Sequence, residues 1–207
     1  MSHVNNFFTV SDFATILNDF GRELIHVPFT KQISNYSGKE TLVAGTPVVI
    51  EAYFMRSSQG WDYEKAGFLE KGDCILLSKY TDAVEKEDLV YADGINIEMS
   101  SIDGDATTIS ITTSSAHGLS VGDEIVIVGT TNYDGVYDVD TALTSVTLTI
   151  ADTSHDKDEE LIGQINKDYN KFRIKEFFNV ASVFDNAGGA TTFTYTACNC
   201  FIYDESW

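Results

Sequence analysis

Three cysteines are the residues of this chain best suited by type to hold a metal ion. Cys198 and Cys200 stand two apart, which places both on one face of a strand, and Cys74 is the third. A structural zinc site takes four ligands and contains a C-x₂₋₄-C pair, a spacing that C-x-C does not provide. An odd number of cysteines does not indicate a disulfide framework either. We therefore expect buried, unreactive thiols and no bound metal.

His117 and a group of carboxylates are the other residues that could do chemistry. His117 lies in a His-Gly-Leu sequence with no second His or Cys at ligand spacing, so we expect it to hold a turn. The carboxylates could offer oxygen ligands to calcium, but the D-x-D-x-D-G pattern of a calcium loop is absent. We expect a solvated acidic linker here, which contains Asp152, Asp156, Asp158, Glu159 and Glu160.

No catalytic motif accompanies these residues. The sequence has no G-x-S-x-G nucleophile turn, no Walker phosphate loop and no dinucleotide fingerprint. No local pattern pairs a nucleophile with a base, although the members of a triad can be distant in sequence. We predict a protein that is not an enzyme and that uses no cofactor.

Charge divides the chain into two parts. The 207 residues carry a net charge of −19, which argues against binding nucleic acid through its phosphates. Residues 95–165 hold 13 Asp or Glu and one Lys, a net charge of −12, and the remainder carries −7. No stretch approaches the roughly 20 apolar residues of a membrane span, and residues 1–6 show no signal-peptide pattern. We expect a separate acidic module in a chain used or assembled in a cytoplasm.

The elements that would position these residues are one helix and a series of strands. The helix is predicted over Val10–Gly21, because Ser11 is a good N-cap and apolar residues follow at i, i+3, i+4 and i+7. β-branched and aromatic runs predict the strands of a core barrel. These runs are Arg22–Pro28, Pro47–Phe54, Cys74–Leu77, Lys171–Phe184 and Ala190–Tyr203, with Lys31–Ser37 as a further strand or a loop.

The acidic part has its own β pattern. Ile109 and Ile111 alternate with polar residues, as do Ile125 and Ile127, which indicates about five short strands between Gly-rich turns. We predict an all-β fold, with a discontinuous antiparallel barrel of residues 1–94 and 166–207 and a small barrel of residues 95–165 inserted in one of its loops. The predicted structural turns are Gly67, Gly72, Asp73, Gly94, His117, Gly118, Gly122, Asp123, Gly129 and Gly135.

Three segments of the predicted core resemble one viral family. Lys65–Leu77 contains a G-x-x-x-x-G-D turn before a strand, Asp88–Gly94 fits D-x-[IV]-x-x-x-G, and Lys171–Val180 fits x-[FY]-R-I-x-x. This order of motifs resembles the head-closure, or stopper, proteins of tailed bacteriophages. The resemblance covers about two-thirds of the chain and is interrupted between Gly94 and Asn166. It implies a β-barrel core and a structural role in the virion.

The inserted part carries a second and more specific resemblance. The stretch His117–Val139 reads HGLSVGDEIVIVGTTNYDGVYDV without interruption. It is similar to a small β-barrel module that recurs in phage and other virus structural proteins. The resemblance implies a decoration or spacer module to which no chemistry is attached.

One polar loop is open to two interpretations. It contains Met55, Arg56, Ser57, Ser58, Gln59, Gly60, Trp61, Asp62 and Tyr63. The composition fits a surface loop whose aromatic residues fold back on the barrel. It also fits a loop that reaches into a channel or a partner. In the stopper proteins, a loop near this point closes the DNA channel, so the resemblance favours a channel and gating loop.

The resemblance to stopper proteins implies a role in the phage neck, and therefore in the virion, after assembly in the host cytoplasm. The chain would form a ring of sixfold or twelvefold symmetry between the portal-adaptor complex and the tail terminator or tail tube. It would close the DNA channel and dock the tail, without tight binding to nucleic acid or to a membrane. The alternatives are another ring protein of the head–tail junction, an adaptor or a tail terminator, and a β-rich module that binds carbohydrate or another surface.

Overall fold

The computed structural model describes residues 10–33, 38–56, 74–152, 156–183 and 192–202. The prediction of a mainly β, barrel-forming fold with one short helix is confirmed. The elements are α1 Val10–Phe20, β1 Arg22–Val27, β2 Phe29–Ile33, β3 Glu40–Ala44, β4 Val48–Arg56, β5 Cys74–Lys79, β6 Leu89–Ala92, β7 Ile95–Asp105, β8 Thr108–Thr113, β9 Glu124–Val128, β10 Gly135–Asp138, β11 Thr141–Ala142, β12 Thr147–Ala151, β13 Asp156–Glu160, β14 Gln164–Lys167, β15 Asn170–Val183 and β16 Thr192–Ile202.

The chain divides into two compact units. The first contains Met1–Phe29, Val49–Tyr91 and Lys171–Trp207, and the second contains Thr30–Val48 and Ala92–Asn170. The predicted insertion, 95–165, falls within the second unit. That unit also takes in residues 30–48 and 166–170, which the sequence analysis assigned to the core. Strand β14 explains the later boundary, because it pairs with β7 and β9 rather than with a core strand.

The first unit is a closed six-stranded barrel with the order β1-β4-β5-β16-β15-β6. Alternation along β4 and β5 fills its interior, because Ala52 and Phe54 are the register partners of Ser78 and Leu76. Phe54 also stacks on Phe172 of β15, with ring centroids 4.3 Å apart. Closing the sheet leaves the barrel no unpaired edge strand.

Helix α1 covers part of this barrel. Leu17 is buried, and the ring of Phe20 lies 6.0 Å from that of Tyr53 on β4. The helix ends where the Gly21 amide donates to the Leu17 carbonyl at 2.8 Å. A Cβ at position 21 would collide with that same carbonyl oxygen, so only glycine allows this compact exit into β1.

The second unit is an eight-stranded antiparallel sheet with the order β10-β9-β14-β7-β8-β12-β11, and β13 pairs with β7. Only Val139 and Asp140 separate the two end strands, β10 and β11, so the sheet must curl back on itself. Thirteen buried side chains, all between Ile97 and Ile165, form its core. The unit therefore has an apolar core built from its own residues.

The segment Asp156–Glu160 differs from its prediction. The sequence analysis expected a solvated acidic linker, whereas the structure shows strand β13 paired with β7. A register shift between Lys157 and Glu160 interrupts this pairing. Acidic residues have low strand propensity, but an available neighbouring strand overrides that preference.

Candidate functional site

The predicted gating loop begins and ends at one rim of the barrel. Arg56, the last residue of β4, is the register partner of Cys74, the first residue of β5. Cys74 is in turn the partner of Cys200 on β16, and Ile202 is the partner of Phe172 at the start of β15. The connection 57–73 thus leaves and re-enters the barrel through adjacent, hydrogen-bonded strands.

Several predicted site residues lie outside the described residues. They are Ser57, Ser58, Gln59, Gly60, Trp61, Asp62, Tyr63, Gly67, Gly72 and Asp73. Met55 and Arg56 lie on the last part of β4. The assignment of this loop to a channel therefore stays a prediction, and the structure contributes the geometry of its two anchor strands.

A buried carboxylate, Asp88, organises the first unit. Its Oδ2 lies 2.7 Å from Nε2 of His26 on β1 and accepts the Glu85 amide at 2.8 Å. Its Oδ1 accepts the Phe29 amide at 2.8 Å, where β2 begins. Both Asp88 and His26 are 2% exposed. One carboxylate thus joins β1, the start of β2 and the turn before β6.

The backbone around Asp88 extends this junction to β15. The Ile174 amide donates to the Asp88 carbonyl, and the Glu87 amide donates to the Ile174 carbonyl, both at 2.9 Å. Arg173 pairs with Glu87 at 3.2 Å. The two motifs that carry the resemblance to stopper proteins, at 88–94 and 171–180, therefore meet in the barrel wall. Sequence analysis placed Asp88 in a motif but did not identify this role, and it missed His26 altogether.

His117 is held at both ring nitrogens. Nδ1 accepts the Leu119 amide at 2.9 Å, so Nε2 carries the proton that reaches the Thr144 carbonyl at 2.9 Å. The side chain is 2% exposed. This arrangement fixes a neutral tautomer and pins the turn 117–119 to the β11–β12 connection. It leaves no ring nitrogen for a metal or a substrate.

Polar side chains close the turns of the second unit. Asp123 accepts the Ser120 amide at 2.7 Å, and Asp134 accepts both the amide and the hydroxyl of Thr130 at 2.8 Å. Buried Tyr133 accepts the Gly104 amide through its hydroxyl at 2.9 Å. Left-handed φ angles of 59°, 87° and 82° occur at Gly118, Gly122 and Gly129.

The last two predicted turn glycines, Gly94 and Gly135, each lie against a side chain. A Cβ at Gly94 would collide with the Asn166 side chain, and one at Gly135 would collide with the ring of Tyr137. Burial, together with Asp152 and Asp134, raises the pKa of Tyr137 to about 12. This phenol therefore stays protonated and donates to the Tyr133 carbonyl at 3.1 Å.

Glu160 has a specific structural task. Its carboxylate accepts the Thr131 amide at 2.6 Å and the Asn132 amide at 2.9 Å. The Asn132 side chain adds a third hydrogen bond at 2.7 Å. Partial burial raises the pKa of Glu160, but these bonds outweigh it and lower the pKa below its ordinary value. The carboxylate thus clamps the 130–133 turn to β13.

The cysteines occupy related register positions in the first unit. In the pairing of β5 with β16, Cys74 is the register partner of Cys200, and Cys198 is the register partner of Leu76. Leu76 and Ser78 are fully buried. Within the described ranges, no group of three or more His, Cys, Asp or Glu residues could hold a metal ion.

Comparison with known proteins adds no family assignment. No protein-family model matches the chain, and no curated protein matches it in sequence. In the part of the chain that the structure describes, no helix is both long and apolar enough to cross a bilayer. The resemblance to stopper proteins therefore depends on the short motifs in the sequence.

Proposed function

We propose that this chain is a structural protein of the bacteriophage neck that forms a ring and closes the DNA channel between head and tail. The observation that carries the proposal is the anchoring of the 57–73 connection. The resemblance assigns this connection to the channel, and its ends are the paired residues Arg56 and Cys74 of a closed barrel. A rigid base lets a loop open and close without disturbing the barrel.

The acidic charge supports passage of DNA without adhesion. With a net charge of −19, the chain offers few cations to neutralise phosphates. An acidic channel wall repels the duplex, whereas clustered lysines would hold it. The neck function requires no catalysis: each copy contributes a weak contact, and a ring multiplies that contact by the number of subunits.

A contact between two of the motifs that carry the resemblance supports the same assignment. The D-x-[IV] motif at Asp88 and the x-[FY]-R-I motif at Phe172–Ile174 are joined by the Ile174–Asp88 backbone bond of 2.9 Å. Two motifs distant in sequence therefore form one structural junction. A family that shares this barrel would need both motifs together, in the order in which they occur here.

A five-residue deletion tests the proposal. Removing residues 57–61 shortens the loop but keeps Arg56, which pairs with Cys74. The matched control removes residues 185–189, which connect β15 and β16 beyond Val183 and Thr192, at the opposite end of those strands. We expect heads assembled with the first deletion to lose packaged DNA before tail attachment, and heads with the control deletion to keep it.

The measurement is nuclease-protected DNA in purified tailless heads, compared with the parent particles. Equal retention by the 57–61 deletion and the parent would refute channel closure by this loop. A chain that is absent from the particles, and that binds glycans instead, would favour the surface-binding alternative.

A further inference from the structure

The ribbon formed by β2 and β3 is the least covered part of the described chain. It is a two-stranded sheet on its own, and no other described strand pairs with it. Every residue of β3 is exposed, and so is every residue of β2 except Phe29, which is partly buried. A ribbon of this kind has little stability of its own in water, since neither strand gains a buried face.

The ribbon exposes apolar side chains on both faces. Ile33 is 63% exposed, and Leu42 and Val43 are each 39% exposed. Leu42 and Val43 are consecutive in β3, so they point to opposite faces. Its outer edges also present unpaired backbone groups, which can add to another strand. Both features indicate a segment that becomes covered in an assembly.

The base of the ribbon is firmly held. The amide of Phe29, its first residue, donates to buried Asp88 at 2.8 Å. Within the ribbon, the Thr41 hydroxyl donates to the Gln32 carbonyl at 3.3 Å, and Lys31 lies 3.8 Å from Glu40. The attachment at Phe29 restricts the positions of the ribbon and so reduces the conformational entropy that docking removes.

Charge identifies the partner. Residues 29–48 contain Lys31, Lys39 and Glu40 as their only charged residues, a net charge of +1, whereas the rest of the chain carries −20. The complementary excess of negative charge is therefore present on every copy of this same chain. A contact between different surfaces of identical subunits repeats around a rotation axis and closes a ring.

We propose that the β2–β3 ribbon is an intersubunit arm that docks on an acidic surface of a neighbouring copy of this chain. The inference rests on the proposed function, because the neck ring supplies the repeating neighbour. The apolar residues Ile33, Leu42 and Val43 become covered there, and Lys31 faces carboxylates. The charge pairing steers association and fixes the register of the contact.

Photo-crosslinking of the full-length chain tests the arm directly. The residue p-benzoyl-phenylalanine replaces Leu42 in one variant, and in the control it replaces Val121, which is 67% exposed in the second unit. Mixing unlabelled with ¹⁵N-labelled chains separates links between copies from links within one copy. We expect mixed-isotope dimers from the Leu42 variant that decrease on dilution, with acidic peptides as their partners, and few dimers from the Val121 variant.

A charge reversal provides the second readout. Lys31→Glu, in the Leu42 crosslinking background, should lower the dimer yield by up to about fivefold, since an exposed ion pair contributes up to ~1 kcal/mol. The control is Lys86→Glu, an exposed lysine in the turn before Asp88. A crosslinker at Val43, on the other ribbon face, replaces the Leu42 variant if that variant misfolds, as judged by circular dichroism.

Links found only within one copy, or equal yields at Leu42 and Val121, would overturn the intersubunit arm. Equal yields after Lys31→Glu and Lys86→Glu would overturn the role of charge. These outcomes are separate from the DNA-retention test. Arm crosslinks combined with normal DNA retention by the 57–61 deletion would contradict the channel role and leave the arm standing.

Discussion

The two units of the chain differ in how completely their buried polar side chains are hydrogen-bonded. In the second unit, the buried side chains of Thr113, His117 and Asn166 all have hydrogen-bond partners. In the first unit, Nδ1 of His26 and Oγ of Ser78 have no partner among the described residues. The buried polar side chains of the second unit are thus hydrogen-bonded, whereas the first unit leaves these two buried atoms without a described partner.

This difference fits a division of labour between the units. In the proposed neck function, the barrel has to hold the two ends of the 57–73 connection, and the buried contacts of Asp88 join three parts of its wall. An inserted module that acts as a spacer needs only to stay folded. The first unit should therefore respond strongly to single polar substitutions, and the second mainly to loss of apolar volume.

The largest effect should come from Asp88→Ala. The substitution leaves His26 and the amides of Phe29 and Glu85 without their buried acceptor. We expect the free energy of unfolding of the first unit to fall by about 3–5 kcal/mol. Urea denaturation followed by hydrogen exchange of peptides from β1, β6 and β15 reports on this unit.

The control for this variant is Asp123→Ala in the second unit. Asp123 is exposed and accepts one side-chain hydrogen bond, from the Ser120 amide. Its loss should cost about 1 kcal/mol and leave the hydrogen exchange of the first-unit peptides unchanged. Similar losses from both substitutions would mean that Asp88 is not the centre of the barrel.

A core truncation tests whether the units are independent. Ile127→Ala removes a fully buried side chain from the second core and should cost that unit about 2–5 kcal/mol. Hydrogen exchange of peptides from β8 and β12 should show an earlier transition, while the transition of peptides from β1, β6 and β15 stays in place. A parallel shift of both signals would show that the two units unfold as one, which contradicts separate cores.

Two further substitutions, with smaller expected effects, compare a buried hydroxyl that has no described hydrogen-bond partner with one that has a partner. Ser78→Ala removes a buried hydroxyl that has no hydrogen-bond partner among the described residues, so the first unit should gain about 1 kcal/mol. Thr113→Val removes a hydroxyl that bonds to the Ser115 carbonyl at 2.6 Å, so the second unit should lose about 1 kcal/mol. The free energies of unfolding are measured by urea denaturation. If both substitutions changed them in the same direction, the proposed contrast between the units would be wrong.

Acidification should change the stability contributed by one carboxylate in each unit, and the two changes should have opposite signs. The Thr107 hydroxyl, aided by the amides of Thr108 and Thr107, lowers the pKa of Asp105 to about 2. Its stabilising contribution is therefore complete above the ordinary pKa of 3.8 and is lost as the pH falls towards about 2. Burial raises the pKa of Asp82 in the first unit, against a hydrogen bond from Lys79. Its ionised form destabilises the fold, so protonation as the pH falls restores stability.

Melting temperatures of single variants separate these contributions. Asp105→Asn should flatten the loss of stability of the second unit between about pH 4 and pH 2. Asp82→Asn should instead remove a stabilisation of the first unit that develops on acidification. The same pH profile for the parent and for Asp105→Asn would show that the Thr107 and Thr108 contacts do not hold the carboxylate ionised.

Strand alternation predicted most of the first unit. The run Pro47–Phe54 became β4, and the two long runs near the C-terminus became β15 and β16, because β-branched and aromatic residues alternate there. The buried apolar positions around Ile109, Ile111, Ile125 and Ile127 were also readable from their period of two. Such patterns identify strands, since they require only local information.

Three features needed the tertiary structure. The sequence of β13, DKDEE, has no strand pattern, and only the adjacent β7 makes it a strand. From the sequence, the end of strand β14 was assigned to the core barrel, because nothing in its local sequence indicates that it pairs with β9. The Asp88–His26 pair joins residues 62 positions apart, so neither residue signals the other in the sequence.

A density map of the head–tail junction, from particles that carry this chain, tests the neck assignment most directly. We expect a closed ring on the tail axis between the portal-adaptor complex and the tail. In each copy, the connection 57–73 between Arg56 and Cys74 should point to the axis and narrow the channel. A ring with this connection on its outer wall, or the chain located on the head or tail surface, would contradict the account.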